Sequence, residues 1–128
     1  MNVARLDHLV LTVADVDRTC EFYESVLGMR RITFGDGRTA MRFGDQKLNL
    51  HQHGNEVFPN ARHAAPGTAD LCFILETPIE QVVAELEAAG VPIELGPAEK
   101  DGALGPITSV YIRDPDENLI ELSNYPRS

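Results

Sequence analysis

Four side chains of this 128-residue sequence could gather round one reactive centre: His8, His51, Asp70 and Glu121. His8 and Asp70 each open an apolar run, at 8–13 and 70–75. His51 and Glu121 each lie in a run that follows a short polar turn, at 47–51 and 118–122. Two imidazoles with one or two carboxylates suit Zn, Fe(II), Mn, Ni or Co without choosing among them. Glu121 adds an energetic argument. It sits among Leu119, Ile120 and Leu122, where a carboxylate is costly to bury unless a metal or a cationic neighbour partners it. Singly, each residue has an ordinary explanation: a hydrogen-bonded strand histidine, an exposed strand glutamate, an aspartate at a strand start. Only their joint placement favours a metal.

The elements that would position them repeat. Residues 8–13 alternate as a strand, with His8, Val10 and Thr12 on one face. Asp15 or Asp17 can cap a helix whose apolar face is Val16, Cys20, Tyr23 and Leu27, with Gly28 as its stop. Strands at 30–34, 39–43 and 47–51 complete a βαβββ unit. Residues 54–68 carry turn formers without periodicity and read as a connection. The pattern then restarts with a strand at 70–75 and a helix opened by a capping box at Thr77 and Glu80, with Pro78 at its first position. Its apolar face is Ile79, Val82, Val83, Leu86 and Ala89, and Gly90 ends it. A strand at 91–95, a Gly- and Pro-rich loop at 96–106, and strands at 107–112 and 118–122 follow. His8 to Asp70 and Gly28 to Gly90 share one offset. His51 matches Glu121 if the second unit has an eight-residue longer loop. The fold class is α+β, with tandem βαβββ modules: about 5–53 and 69–125 within one domain, 5–125.

Bulk properties narrow the function. A net charge of −9 with scattered basic residues argues against a nucleic-acid or anionic-membrane surface and for a small-molecule partner or a second copy of the chain. No apolar run approaches the roughly 18 residues of a membrane helix. The N-terminus lacks a basic start followed by an apolar run, so the expected location is cytoplasmic. Cys20 and Cys72 match no metal or redox spacing and read as buried free thiols.

The paired modules, the opening run Asp7 to Val13 and the closing run Arg113 to Glu121 resemble the vicinal oxygen chelate superfamily of glyoxalases, extradiol dioxygenases, fosfomycin-resistance transferases and bleomycin-binding proteins. The stretch from Phe43 to His51 is similar to its small glyoxalase-domain-containing (type 5) branch. The resemblance implies curved mixed sheets forming a cleft around one divalent metal (Zn, Ni, Co, Mn or Fe(II)), held by His8, His51 and Glu121. It also implies a homodimer in which modules can pair across subunits.

The implied chemistry is bidentate binding of vicinal oxygens, with the metal stabilising an enediolate and Glu121 or Asp70 moving the proton. A glyoxalase-like lyase or isomerase, with glutathione or another thiol as cosubstrate, is the first reading. An extradiol ring-cleaving dioxygenase is the second. It is favoured by Tyr111 ten residues before Glu121 and disfavoured because Gly102, Ala103 and Leu104 stand where that branch has a histidine. Glu117 takes the turn position that family members give to Gly or Pro. A metal-free drug binder is the third, with few aromatics to support it. His53, at a strand end, and His63, in the connection, read as solvated. Arg113 reads as one half of a surface ion pair, and 96–106 as a loop able to close over a site.

Overall fold

The computed structural model describes residues 1–127 and divides into two compact units, Met1–Thr68 and Ala69–Ser128. Each is a βαβββ module carrying one four-stranded mixed sheet. Eight strands in two sheets with two helices make the α+β fold expected.

The first unit contains β1 (His8–Val13), α1 (Val16–Ser25), β2 (Arg30–Phe34), β3 (Arg38–Phe43) and β4 (Gln46–Gln52), in the sheet order β1-β4-β3-β2. The crossover helix makes β1 parallel to β4, and the remaining pairs are antiparallel. Asp15 is the N-cap of α1 and accepts from the Arg18 amide at 3.1 Å. Thr19, Cys20 and Tyr23 carry the buried side of α1, while Val16 and Leu27 are only half-buried. Leu48, Leu50, Met41 and Leu11 fill the core on the helix side. Arg31, on that side, pairs with Asp17 of α1 at 2.8 Å.

The second unit contains β5 (Asp70–Ile74), α2 (Ile79–Ala88), β6 (Leu95–Gly102), β7 (Gly105–Arg113) and β8 (Leu119–Asn124), in the equivalent order β5-β8-β7-β6. Ile79, Val82 and Leu86 bury one side of α2, and Val110, Ile112, Ile120 and Leu122 are buried sheet residues. The capping box does not form. Pro78 is itself the N-cap, in extended conformation, and no side chain caps the helix.

The stretch 96–106 is not a loop. Its residues extend β6 and turn back at Gly102–Gly105 into β7, so no lid exists there and 91–94 holds no strand. Its glycines answer close approach rather than looseness. A Cβ on Gly96, at φ +106°, would run into the Ser109 carbonyl oxygen, beside the bulge between Leu95 and Ala98. A Cβ on Gly102 would lie 2.6 Å from the Tyr125 hydroxyl.

The closing turn is a side-chain construction. Asp114, 3% exposed, accepts from the amides of Asp116 (2.9 Å) and Asn118 (3.0 Å) and from Asn118 Nδ2 (2.8 Å). Asn118 Oδ1 in turn accepts from the Ala69 amide at 2.8 Å, which ties the turn to the start of β5. Glu117 takes the left-handed conformation, φ 68°.

Candidate functional site

Strand register sorts the side chains on the sheet face that α1 leaves uncovered into three rungs. The first is His8–Lys47–Arg42–Arg30, and the second is Val10–Asn49–Ala40–Ile32. In the third, Thr12 pairs with His51 and Phe34 with Arg38, while the Thr39–Leu50 pair brings Arg38 beside His51. The second unit has the same construction. Its rungs are Asp70–Leu119–Arg113, Cys72–Glu121–Tyr111–Leu95 and Ile74–Ser123–Ser109–Ala98.

The rungs confirm that His8 and Asp70 are equivalent and correct the other match. Glu121 lies on the level of Asn49, not of His51, and the counterpart of His51 is Ser123. The offset between modules is therefore two residues larger at the last strand than the sequence match of His51 with Glu121 implies. A slip of two keeps every side chain on its face and moves it one rung along.

His8 opens β1, exposed, with Nδ1 2.8 Å from Asp7 Oδ2. That contact engages Nδ1 and leaves Nε2 to bind, the arrangement in which a carboxylate orients a ligating imidazole. Asp70 is exposed at the start of β5. Glu121 is half-buried one rung further along the same face. Its Oε2 accepts from Ser109 Oγ at 2.6 Å, and Ser109 and Ser123 hydroxyls lie 2.7 Å apart. Tyr111 lies directly across from Glu121. Burial first, then the Glu121 carboxylate as acceptor and as charge, raise the phenol above its ordinary pKa.

His51 is 5% exposed, and neither ring nitrogen has a hydrogen-bond partner; Asn49, 4% exposed, has an unpartnered Oδ1. Burial, then the Arg38 charge, hold the His51 imidazole below its ordinary pKa, with Glu56 pulling the other way. The ring is therefore neutral near neutral pH, with one N–H to give and one lone pair to fill.

As donors to a metal, His8, Asp70 and Glu121 each keep an available lone pair. The two histidines do not fit one ion together within the first unit. Thr12, His51's partner, is four residues along β1 from His8, about 13 Å at the strand rise. Among the described residues no three His, Cys, Asp or Glu side chains are gathered in a metal-binding group.

The remaining candidates are peripheral. His53 is exposed and 3.7 Å from Glu56, and His63 is exposed within 54–68. Arg113 forms its pair with Glu94, by two contacts of 2.9 Å, and not with the acids of the closing turn. Cys20 is buried, whereas Cys72 is exposed, with Sγ 3.4 Å from Ser123 Oγ. Lys47 and Asn49 are marked in the sequence by alternation with His51, and Ser109 by alternation with Tyr111, whereas Arg38 carries no such mark.

The Glyoxalase/Bleomycin resistance protein/Dioxygenase superfamily model matches residues 5–122, and the chain belongs to that superfamily. Virulence protein STM3117 of Salmonella typhimurium (strain LT2) is 55% identical over 98% of this chain and 87% of its own length. Its crystal structure superposes with a TM-score of 0.97, covering 98% of this chain and 100% of that one. Glyoxalase domain-containing protein RDO1 of Mycosarcoma maydis is 49% identical over 98% of this chain and 70% of its own. Lactoylglutathione lyase from Agrobacterium tumefaciens has the same fold, with a TM-score of 0.73 at 25% identity over 96% of this chain and 95% of that one. No helix among the described residues is long and apolar enough to cross a membrane.

Proposed function

We propose that the chain is a divalent-metal-dependent enzyme that carries out a glyoxalase-like lyase or isomerase step on a small substrate with vicinal oxygens. His8 and Glu121 serve as metal ligands and Asp70 as the proton-moving base. The observation that carries the reading is the anchoring of Glu121, whose carboxylate takes a 2.6 Å bond from Ser109. A half-buried carboxylate fixed in this way is prepared for a charged partner. The likeness to lactoylglutathione lyase supports the reaction class and a thiol cosubstrate.

When bound, the metal would supply Lewis-acid stabilisation of negative charge developing on substrate oxygen. Asp7 engages His8 Nδ1 and leaves Nε2 to bind. Ser109 holds the Glu121 carboxylate through Oε2. Asp70, exposed and one rung from Glu121, is free to take a proton from one substrate carbon and return it to the next. Ring cleavage of a catechol is the second reading, favoured by Tyr111 standing directly across from Glu121.

Metal analysis of protein purified without chelator tests the proposal. About one ion per chain, lost in a His8→Ala, Glu121→Ala double variant and retained in His51→Gln, is the expected result. Hemithioacetal turnover by the loaded protein supports the lyase, and oxygen uptake with a catechol supports the dioxygenase. A wild type that stays empty after loading with Zn, Ni, Co, Mn and Fe(II) ends the metal-enzyme reading.

A further inference from the structure

We infer that the helix-free face of the first unit recognises a small organic anion that also carries a hydroxyl group, and that this is the substrate class of the enzyme proposed above. The inference rests on that reading for the word substrate, but the binding site stands on its own observations.

Charge is the first. The chain carries −9 overall, yet four of its eleven Lys and Arg residues, Arg30, Arg38, Arg42 and Lys47, share one face of one four-stranded sheet. Arg38 and Lys47 are half-buried, and neither forms an ion pair with a carboxylate among the described residues. Both lie over the Phe34 ring instead, Lys47 Nζ at 3.6 Å from its centroid and the Arg38 guanidinium at 4.8 Å. An aromatic face holds cations loosely without neutralising them, so both remain available to an anion. Asp7, whose charge also reaches Lys47, is already engaged by His8 and Arg5.

The second observation points to a ligand independently of charge. Asn49 and His51 alternate with Lys47 along β4, so all three face the same way. Asn49 Oδ1 and both His51 ring nitrogens are buried and unpartnered, a deficit that folded proteins ordinarily avoid. Ala40 is the β3 partner of Asn49 and leaves little bulk beside it. Asn49 Oδ1 can only accept a hydrogen bond. Neutral His51 can give one and accept one. A bare carboxylate would satisfy Arg38, Lys47 and the His51 N–H but leave Asn49 Oδ1 without a donor. A hydroxyl next to the anionic group supplies that donor. A small hydroxycarboxylate serves Arg38, Lys47, the His51 N–H and Asn49 Oδ1 together.

Imidazole resonances of His51, assigned by their loss in His51→Gln, report binding in the full chain stripped of metal with chelator. The titrants at constant ionic strength are glycolate, acetate (charge without hydroxyl) and ethylene glycol (hydroxyl without charge). Expected is a saturable shift with glycolate, weaker with acetate, absent with ethylene glycol, and at least about tenfold weaker in Arg38→Gln. Lys47→Gln is a second variant, in case Arg38→Gln perturbs the fold; an unchanged backbone amide spectrum identifies the interpretable one. No saturable shift with glycolate, or equal affinity in the folded variant, overturns the inference. Equal affinity for glycolate and acetate overturns it as well, by removing the role of the hydroxyl. Because the protein is metal-free, the result is independent of metal analysis: anion binding without metal uptake sinks the enzyme reading alone, and metal uptake without anion binding sinks this one alone.

Discussion

Tyr111 and Glu121 face each other across β7 and β8, so a phenol stands opposite the carboxylate that the closing strand presents. Burial first, then the Glu121 carboxylate across from it, as acceptor and as charge, favour the neutral phenol and raise its pKa in the folded chain. The sign follows. The stabilisation is fully present below the unfolded phenol pKa and is lost as pH rises through the raised folded value. An ultraviolet titration is expected to show one tyrosine ionising later than an unperturbed phenol. Tyr111→Phe removes that step and flattens the alkaline fall in urea stability attributable to it. A variant whose titration matches wild type would show that Tyr111 is not the perturbed group.

Ser109 carries a second prediction. Its hydroxyl is buried, 2.6 Å from Glu121 Oε2 and 2.7 Å from the Ser123 hydroxyl. Ser109→Ala removes a donor to a charged acceptor, a change of about 1–3 kcal/mol in urea unfolding. Loss of an outer hydrogen bond to a metal ligand is also expected to lower metal affinity about 10–100-fold. The stability change without any change in metal affinity would remove Glu121 from the ligand set.

His51 behaves in the opposite sense to Tyr111. Burial and the Arg38 charge lower its pKa, so the folded chain resists protonation there while the unfolded chain accepts it. Stability from this group is therefore present above the unfolded imidazole pKa, ordinarily about 6.5, and is lost as pH falls through the lowered folded value. Urea midpoints of metal-free protein should fall between neutral and mildly acid pH by more in wild type than in His51→Gln. Equal slopes would mean that His51 is not the source of the acid sensitivity.

The repeat was legible in the sequence because its elements are periodic. The bounds of β1 and β2 coincide with the alternating runs, and both helices end before glycines of positive φ, Gly28 and Gly90. The hairpin at 95–113 was not legible, since Gly96, Pro97 and Gly102 read as loop formers. Two of these, Gly96 and Gly102, are glycines because neighbouring atoms leave no room for a Cβ. The site was legible by face but not by level. The strand, polar turn, strand pattern matches His51 to Glu121, whereas the flanking residues, Leu48 and Leu50 against Ile120 and Leu122, place Asn49 there. Period-two alternation hides a two-residue slip because every side chain still faces correctly. Partnerless nitrogens on a buried histidine have no signature in sequence at all.

The closing turn offers a test in which a family departure is a local defect. Glu117 adopts φ 68° between Asp116 and Asn118, where a side chain crowds the backbone and glycine does not. Its amide bonds to the Asp114 carbonyl at 3.0 Å and its carbonyl accepts from Arg113 at 3.1 Å, both through backbone atoms that any residue supplies. Glu117→Gly therefore keeps the turn and relieves a strain of roughly 1–2 kcal/mol. The extra freedom of glycine in the unfolded chain offsets roughly 0.5–1 kcal/mol of that. Removing one carboxylate from a chain of net charge −9 acts in the stabilising direction. The net expectation is a gain of up to about 1 kcal/mol in urea unfolding. Asn118→Ala, by contrast, unties Asp114 and the Ala69 amide together and should cost more than about 2 kcal/mol. If Glu117→Gly destabilises the chain, the carboxylate makes a contribution to the turn that outweighs its backbone strain.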